Sequence, residues 1–180
     1  MPPVDAAAIE AAKELADQGK ASFKKGDYAK AMYSFRHAVV DNPQDPKLLL
    51  LLAQSLFANG KFDEAAGATQ AALHQLPKEE WGSVIAHYRQ LYGRAEDYTA
   101  QLRVLEKAVN DKPEDPALRF LSGYHFAYLG FHKQAIDQLD RGLKLVPGDE
   151  MAKALREEAS SKLLKVATPS NSKLDGPVLK

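Results

Sequence analysis

Apolar residues return along this chain at the three-and-four spacing of a helix face, and glycine or proline punctuates each run. Tyr28, Ala31, Met32, Phe35, Ala38 and Val39 form one such face. Gly26-Asp27 is a turn signal before it, and Asn42-Pro43-Gln44-Asp45-Pro46 stops it. The alanine-rich stretch from Ala6 to about Lys24 has helical propensity throughout, with no breaker until Gly19. Together these predict a helical hairpin. Pro46 stands where the first turn of a new helix tolerates proline, and the same unit recurs from Pro46 to Pro77, with Asn59-Gly60 at its inner turn and a second helix from about Phe62 to Gln75. A third unit runs from about Lys78 to Pro113. Its first helix is expected to carry Trp81, Val84, Ile85, Tyr88, Leu91 and Tyr92 on one stripe, and its second Tyr98, Leu102, Leu105, Ala108 and Val109. A fourth runs from Pro116 to Pro147 around Leu129-Gly130.

The spacing of these units is nearly constant. Gly26 and Gly60 are 34 residues apart, as are Pro43 and Pro77, and Pro113 and Pro147. A fixed period of this length marks a stacked array in which each unit packs on its neighbours. Pro77 and Pro113 are 36 apart, so the third unit holds two extra residues, in its first helix or at the Gly93-Arg94-Ala95-Glu96 turn. The organisation that follows is a lead-in over 1–11, repeats at about 12–45, 46–79, 80–115 and 116–149, a capping helix over 150–166 and a loose tail over 167–180. Asp149 can cap that last helix, whose inner face would carry Met151, Leu155, Ala159, Leu163 and Leu164. An end piece of this kind hides the apolar flank of the last repeat from water.

These repeats resemble the tetratricopeptide repeat, whose motif has Trp, Leu, Gly and Tyr in the first helix, Ala, Phe and Ala in the second, and Pro at the exit. Gly19, Ala53 and Gly123 stand at the small position of the first helix. Ala31, Ala65 and Ala135 match the first alanine of the second helix, and Ala38, Ala72 and Ala108 the second, with Gly142 a small substitute. Small residues let paired helices approach closely while large ones fill the adjoining hole. Three departures stand out: Gln101 replaces an alanine, Thr69 an aromatic, and Gln18 with Ser22 make the first helix polar. The resemblance covers about Ala12 to Pro147. It implies an all-α, right-handed superhelical solenoid of about four helical hairpins with a C-terminal capping helix.

The resemblance also implies a function, a protein–protein interaction module that holds a peptide segment or partner helix in a concave groove lined by the first helices. Carried over position by position, the groove stripe includes Lys13, Lys20, Phe23 and Lys24, then Leu50, Gln54 and Phe57. It continues with Gln90 and Arg94 in the third unit and Phe120, Tyr124 and Tyr128 in the fourth. Such a surface is basic at one end and aromatic at the other; Phe23, Phe57 and Tyr128 could equally fill gaps between repeats. The lysine and asparagine positions of the carboxylate clamp that holds chaperone C-terminal tails are occupied by Ala16, Lys20 and Leu51, so that ligand is not expected. The alternative is structural self-assembly, a homo-oligomer built through the ends or convex faces with no specific groove ligand.

Composition removes other classes. The 24 Lys and Arg balance 24 Asp and Glu without long runs of either sign, which takes away the electrostatic case for nucleic acid. No apolar run is long enough for membrane insertion, and the N-terminus lacks the basic start and apolar stretch of a secretory signal. A soluble, cytoplasmic protein is the default expectation, with a removed leader or a larger parent protein left open. With no cysteine there is no disulfide, thiol nucleophile or cysteine-type zinc site. His37, His74, His87, His125 and His132 fall without the His-x-x-x-His spacing of a helix-borne metal pair and read as surface or groove residues. No glycine-rich phosphate loop and no nucleophile with a neighbouring base is present. No catalytic residue, metal or cofactor is therefore expected.

Overall fold

An aspartate begins most of the long helices, and each accepts a hydrogen bond from the first turn, where backbone N–H groups lack helical partners. In the computed structural model, which describes residues 4–167, Asp5 caps α1 (Ala6–Lys24) and Asp27 caps α2 (Tyr28–Asp41). Asp45 caps α3 (Pro46–Ala58), with Pro46 in its first turn, and the second helix of that pair is α4 (Phe62–Leu73). Further along, Asp115 caps α8 (Pro116–Tyr128), which pairs with α9 (His132–Leu145), and Asp149 caps α10 (Glu150–Ala167) through a 2.9 Å bond from the Ala152 amide. Every regular element among the described residues is helical. Residues 1–3 lie outside the described residues, as does the tail expected over 167–180 apart from Ala167, which ends α10 instead.

The three regular hairpins turn at Gly26, Gly60 and Gly130, whose φ values of 82°, 71° and 87° lie in the left-handed region that favours glycine. Helices within each pair approach closely where one side chain is absent. A Cβ on Gly19 would stand 2.6 Å from the Phe35 ring, so the phenylalanine fills the space that the glycine vacates. Between hairpins, α2 packs on α3, and α10 covers α9 and reaches α8. In α10, Met151, Leu155 and Ala159 are buried, while Leu164, expected on the same face, is 67% exposed. Leu163 continues the four-residue spacing, and Leu164 lies about 100° further round the helix.

The third unit departs from this scheme. Its first helix is not continuous: a single 3-10 turn over Lys78–Glu80 is followed by α5 (Ser83–Ala86) and α6 (Tyr88–Leu91), each only four residues long. Its second helix, α7 (Ala95–Asp111), is regular and buries Tyr98, Leu105 and Val109. The apolar stripe is nevertheless used, with Trp81, Ile85 and Tyr92 all at most 3% exposed. What differs is the neighbour. Helix α4 packs directly against α8, so the hairpins α1/α2, α3/α4 and α8/α9 form a continuous stack without the third unit between them. Helix α5 touches both α3 and α8, α6 touches α1, and α7 packs on α8 and reaches α3. Residues 78–111 therefore lie across the face built by the first helices of the other three hairpins.

Candidate partner-binding surface

The face formed by α1, α3 and α8 is the one on which the groove stripe was placed, and much of that stripe is covered. Phe23, Leu50, Gln54, Phe57, Phe120 and Tyr124 are all buried. Tyr128 is half-buried, with Lys162 Nζ 4.6 Å from its ring centre. Lys13, Lys20, Lys24, Gln90 and Arg94 are exposed. Phe120 and Tyr124 of the expected aromatic end are thus interior in this structure, while the lysines of the basic end stay exposed.

The third unit supplies what covers the aromatic end. The Tyr92 ring meets Phe23 edge-on at 4.7 Å and lies 5.9 Å from Tyr28. Its hydroxyl accepts from Gln54 Nε2 at 2.8 Å and donates to Gln101 Oε1 at 2.6 Å. Two polar residues from α3 and α7 thereby satisfy one buried phenol, as burial of a polar group demands. Burial raises the Tyr92 pKa well above its ordinary value, keeping the hydroxyl a donor. Tyr124, on α8, donates to the Trp81 carbonyl at 2.7 Å, and the Trp81 indole donates to the Leu76 carbonyl at 2.9 Å. Tyr28 donates to Asp97 at 2.8 Å; burial first, then that bond, raises its pKa.

A second cluster joins α7 to the stack. Tyr98 hydroxyl and His125 Nδ1 share a 2.8 Å hydrogen bond, and the imidazole lies 4.1 Å from the Phe57 ring centre. His125 is 1% exposed, and burial drives its pKa down to about 3. A neutral imidazole therefore forms part of the seam, where the sequence suggested a surface or groove histidine. His37, His74 and His87 are exposed, and His132 is partly buried with its pKa lowered by burial and then by Lys162. Among the described residues no group of three His, Asp or Glu is placed to hold a metal ion. Nor is any described helix long and apolar enough to cross a membrane.

What remains accessible is the N-terminal part of the same face. Two adjoining depressions there share Lys20 and Leu51. One is floored by Val84 and Leu91 of the third unit and rimmed by His87 and Gln90; the other is floored by Leu48 and Ala16 and rimmed by Lys13 and Lys47. Each lysine is ion-paired at the surface: Lys13 with Glu10 at 3.4 Å, Lys20 with Asp17 at 3.1 Å and Lys47 with Glu80 at 2.7 Å. Such exposed pairs are weak and exchange easily for a ligand carboxylate. Val84 and Leu91 were expected on the apolar stripe of the third unit and Leu51 at a clamp position, none of them as a contact residue; the broken third unit brings the three to one open surface.

The tetratricopeptide repeat family model matches residues 22–88, from the last turn of α1 into the segment that crosses the stack. No curated protein matches the chain significantly. Among solved structures the chain is similar to the OM64 TPR domain of Arabidopsis, at 14% identity over 86% of this chain and 98% of that one, with a TM-score of 0.41. It is similar also to the first TPR of Spaghetti (RPAP3) bound to the HSP90 peptide SRMEEVD, at 18% identity, 91% and 99% coverage and a TM-score of 0.40. MamA from Desulfovibrio magneticus RS-1 gives 19% identity, 93% and 98% coverage and a TM-score of 0.37.

Proposed function

We propose that this tetratricopeptide-repeat chain is a non-catalytic protein–protein interaction module, and that its partner docks on the open N-terminal part of the face built by α1 and α3. The observation that supports this reading is the continuous surface around Leu51 and Lys20, where an aliphatic floor is ringed by lysine and amide groups. A short peptide segment or helix that presents aliphatic side chains would bury them against Leu48, Leu51, Val84 and Leu91. Its polar groups would be oriented by Lys13, Lys20, Lys47 and Gln90. An apolar centre with a polar rim is the arrangement that carries affinity in small interfaces. Of the expected contact residues, Lys13, Lys20 and Gln90 take part directly in this reading.

The test is quantitative capture from an extract of the native cell, with the whole chain as bait and a Leu51→Asp, Lys20→Glu variant as control. Lys20 is exposed and Leu51 is partly buried against the core, so far-UV circular dichroism and a melting curve must first show that the variant is folded. A partner retained by the native bait and lost by the variant supports the reading. Equal capture by both baits overturns the site, and sedimentation showing a dimer that the double substitution leaves intact favours self-assembly instead.

A further inference from the structure

Three features of the third unit converge on one property. First, the stack beneath it is complete, because α4 packs on α8 and no contact among α1, α2, α3, α4, α8 and α9 passes through residues 78–94. Second, the segment has little structure of its own. One 3-10 turn and two helices of four residues are far below the length at which a helix holds itself, so its order comes from docking. Third, it docks as a bound peptide would. Trp81, Ile85 and Tyr92 enter the stack as side-chain anchors, and the bonds to Tyr124 and Gln54 fix its register. Ala86, His87, Arg89 and Gln90 face solvent between the anchors.

We propose that residues 78–94 are a displaceable internal ligand of the stack. Their release bares Phe23, Gln54 and Tyr124, the residues that Tyr92 and Trp81 meet, as a docking floor for an external peptide of like chemistry, one bearing a tyrosine and a bulky aliphatic side chain. The two glycines near the ends of the segment set how tightly it closes. A Cβ on Gly93 would stand 2.0 Å from the Lys24 carbonyl oxygen, and one on Gly82 would stand 2.0 Å from the Tyr128 ring. Backbone cannot step aside at the first position, so Gly93→Ala lifts the segment while touching no contact between the stacked helices. This floor lies beneath the segment, whereas the open surface around Leu51 takes Val84, Leu91 and Gln90 from the segment and exists only while it is docked; the proposal stands whether or not a partner docks on that outer surface. An external ligand pays the free energy of opening, so its apparent affinity scales with the open fraction.

Trp81 is the chain's single tryptophan, and it reports on the segment directly. In the unsubstituted protein under rising urea, Trp81 fluorescence should change at a lower midpoint than far-UV circular dichroism. Amides of 78–94 should exchange at least about tenfold faster than those of α3 and α8. In Gly93→Ala, Trp81 emission should shift to the red and become accessible to acrylamide with helical content kept. A fluorescein-labelled peptide copying residues 78–94 should bind this variant at least about tenfold more tightly than the unsubstituted chain. Adding Gln54→Leu should weaken that binding. Coincident urea transitions and uniform exchange in the unsubstituted protein overturn the proposal, as does a folded Gly93→Ala variant that fails to bind the peptide. Should Gly93→Ala not fold, the unsubstituted protein decides by the first two measurements. Capture through Leu51 plays no part in these readouts, so either site can fail while the other holds.

Discussion

His125 gives the seam between α7 and the stack a defined response to acid. Its imidazole is enclosed by Phe57 of α3, Tyr98 of α7 and its neighbour Tyr124, and burial holds its pKa at about 3 against an ordinary 6.5. The unfolded chain binds a proton that the native chain refuses, so stability rises with pH across the interval from about 3 to 6.5. The contribution is complete above 6.5 and is lost as pH falls through that window. At pH 4.5, about two units below the unfolded value, the loss is about 2.7 kcal/mol at about 1.36 kcal/mol per unit. Carboxylates also titrate in this range, so the measurement is a difference. Urea unfolding is followed by circular dichroism at pH 7.5, 6.0, 5.0 and 4.5 for the unsubstituted chain and for His125→Gln. The variant should be the less stable at neutral pH, and the gap between the two should close by about 2.7 kcal/mol on going to pH 4.5. A gap that stays constant across the series refutes the claim that His125 is buried neutral in the native fold.

Two further substitutions probe the packing. Phe57→Ala removes a ring that touches Phe62, Tyr98 and His125, and it should lower stability by about 3–5 kcal/mol in calorimetry, the range for an emptied phenylalanine site. Glycine to alanine should have opposite signs at two places. Gly60→Ala forces a side chain into a φ of 71° and should destabilise by about 1–2 kcal/mol, whereas Gly67→Ala sits within α4 with nothing nearby and should stabilise by about 0.5–1 kcal/mol, both read from denaturant midpoints.

The regular hairpins were legible because they rest on local chemistry. Helical spacing, aspartate and proline at helix starts and glycine at turns are written within one repeat, and α1, α2, α3, α8 and α9 follow from them. The stripe Trp81, Ile85, Tyr92 was legible too, as an apolar set. Its partner was not, since periodicity says which side chains need burial but not which helix will bury them. Here α4 meets α8, and the stripe closes against Phe23 and Tyr124 instead of against α4. Traces of this were present in the sequence as departures from the repeat. Gln101, where the repeat has a small residue, accepts from Tyr92, and Gln54 and His125 are polar residues on inner helix faces for which the third unit supplies partners. The two extra residues between Pro77 and Pro113 fall in the same unit. The repeat pattern implies a groove only if every first helix takes its place in the stack; because the third does not, Phe23, Phe57, Phe120 and Tyr124 are interior.

The junction of α4 with α8 also bears on how the chain finds its fold. Arrays of this kind ordinarily fold fast because every interface joins neighbours in sequence, and α2 meets α3 across only residues 42–45. Between the end of α4 and the start of α8 lie residues 74–115, 42 positions in place of four. Closing the longer loop costs about 2 kcal/mol more in chain entropy, from the logarithmic dependence on length. The regular hairpins therefore fall into two local blocks, 6–73 and 116–167, whose junction through α4 and α8 is non-local. Refolding should show a phase whose rate is set by that encounter, at a place where an ordinary repeat array has no kinetic boundary.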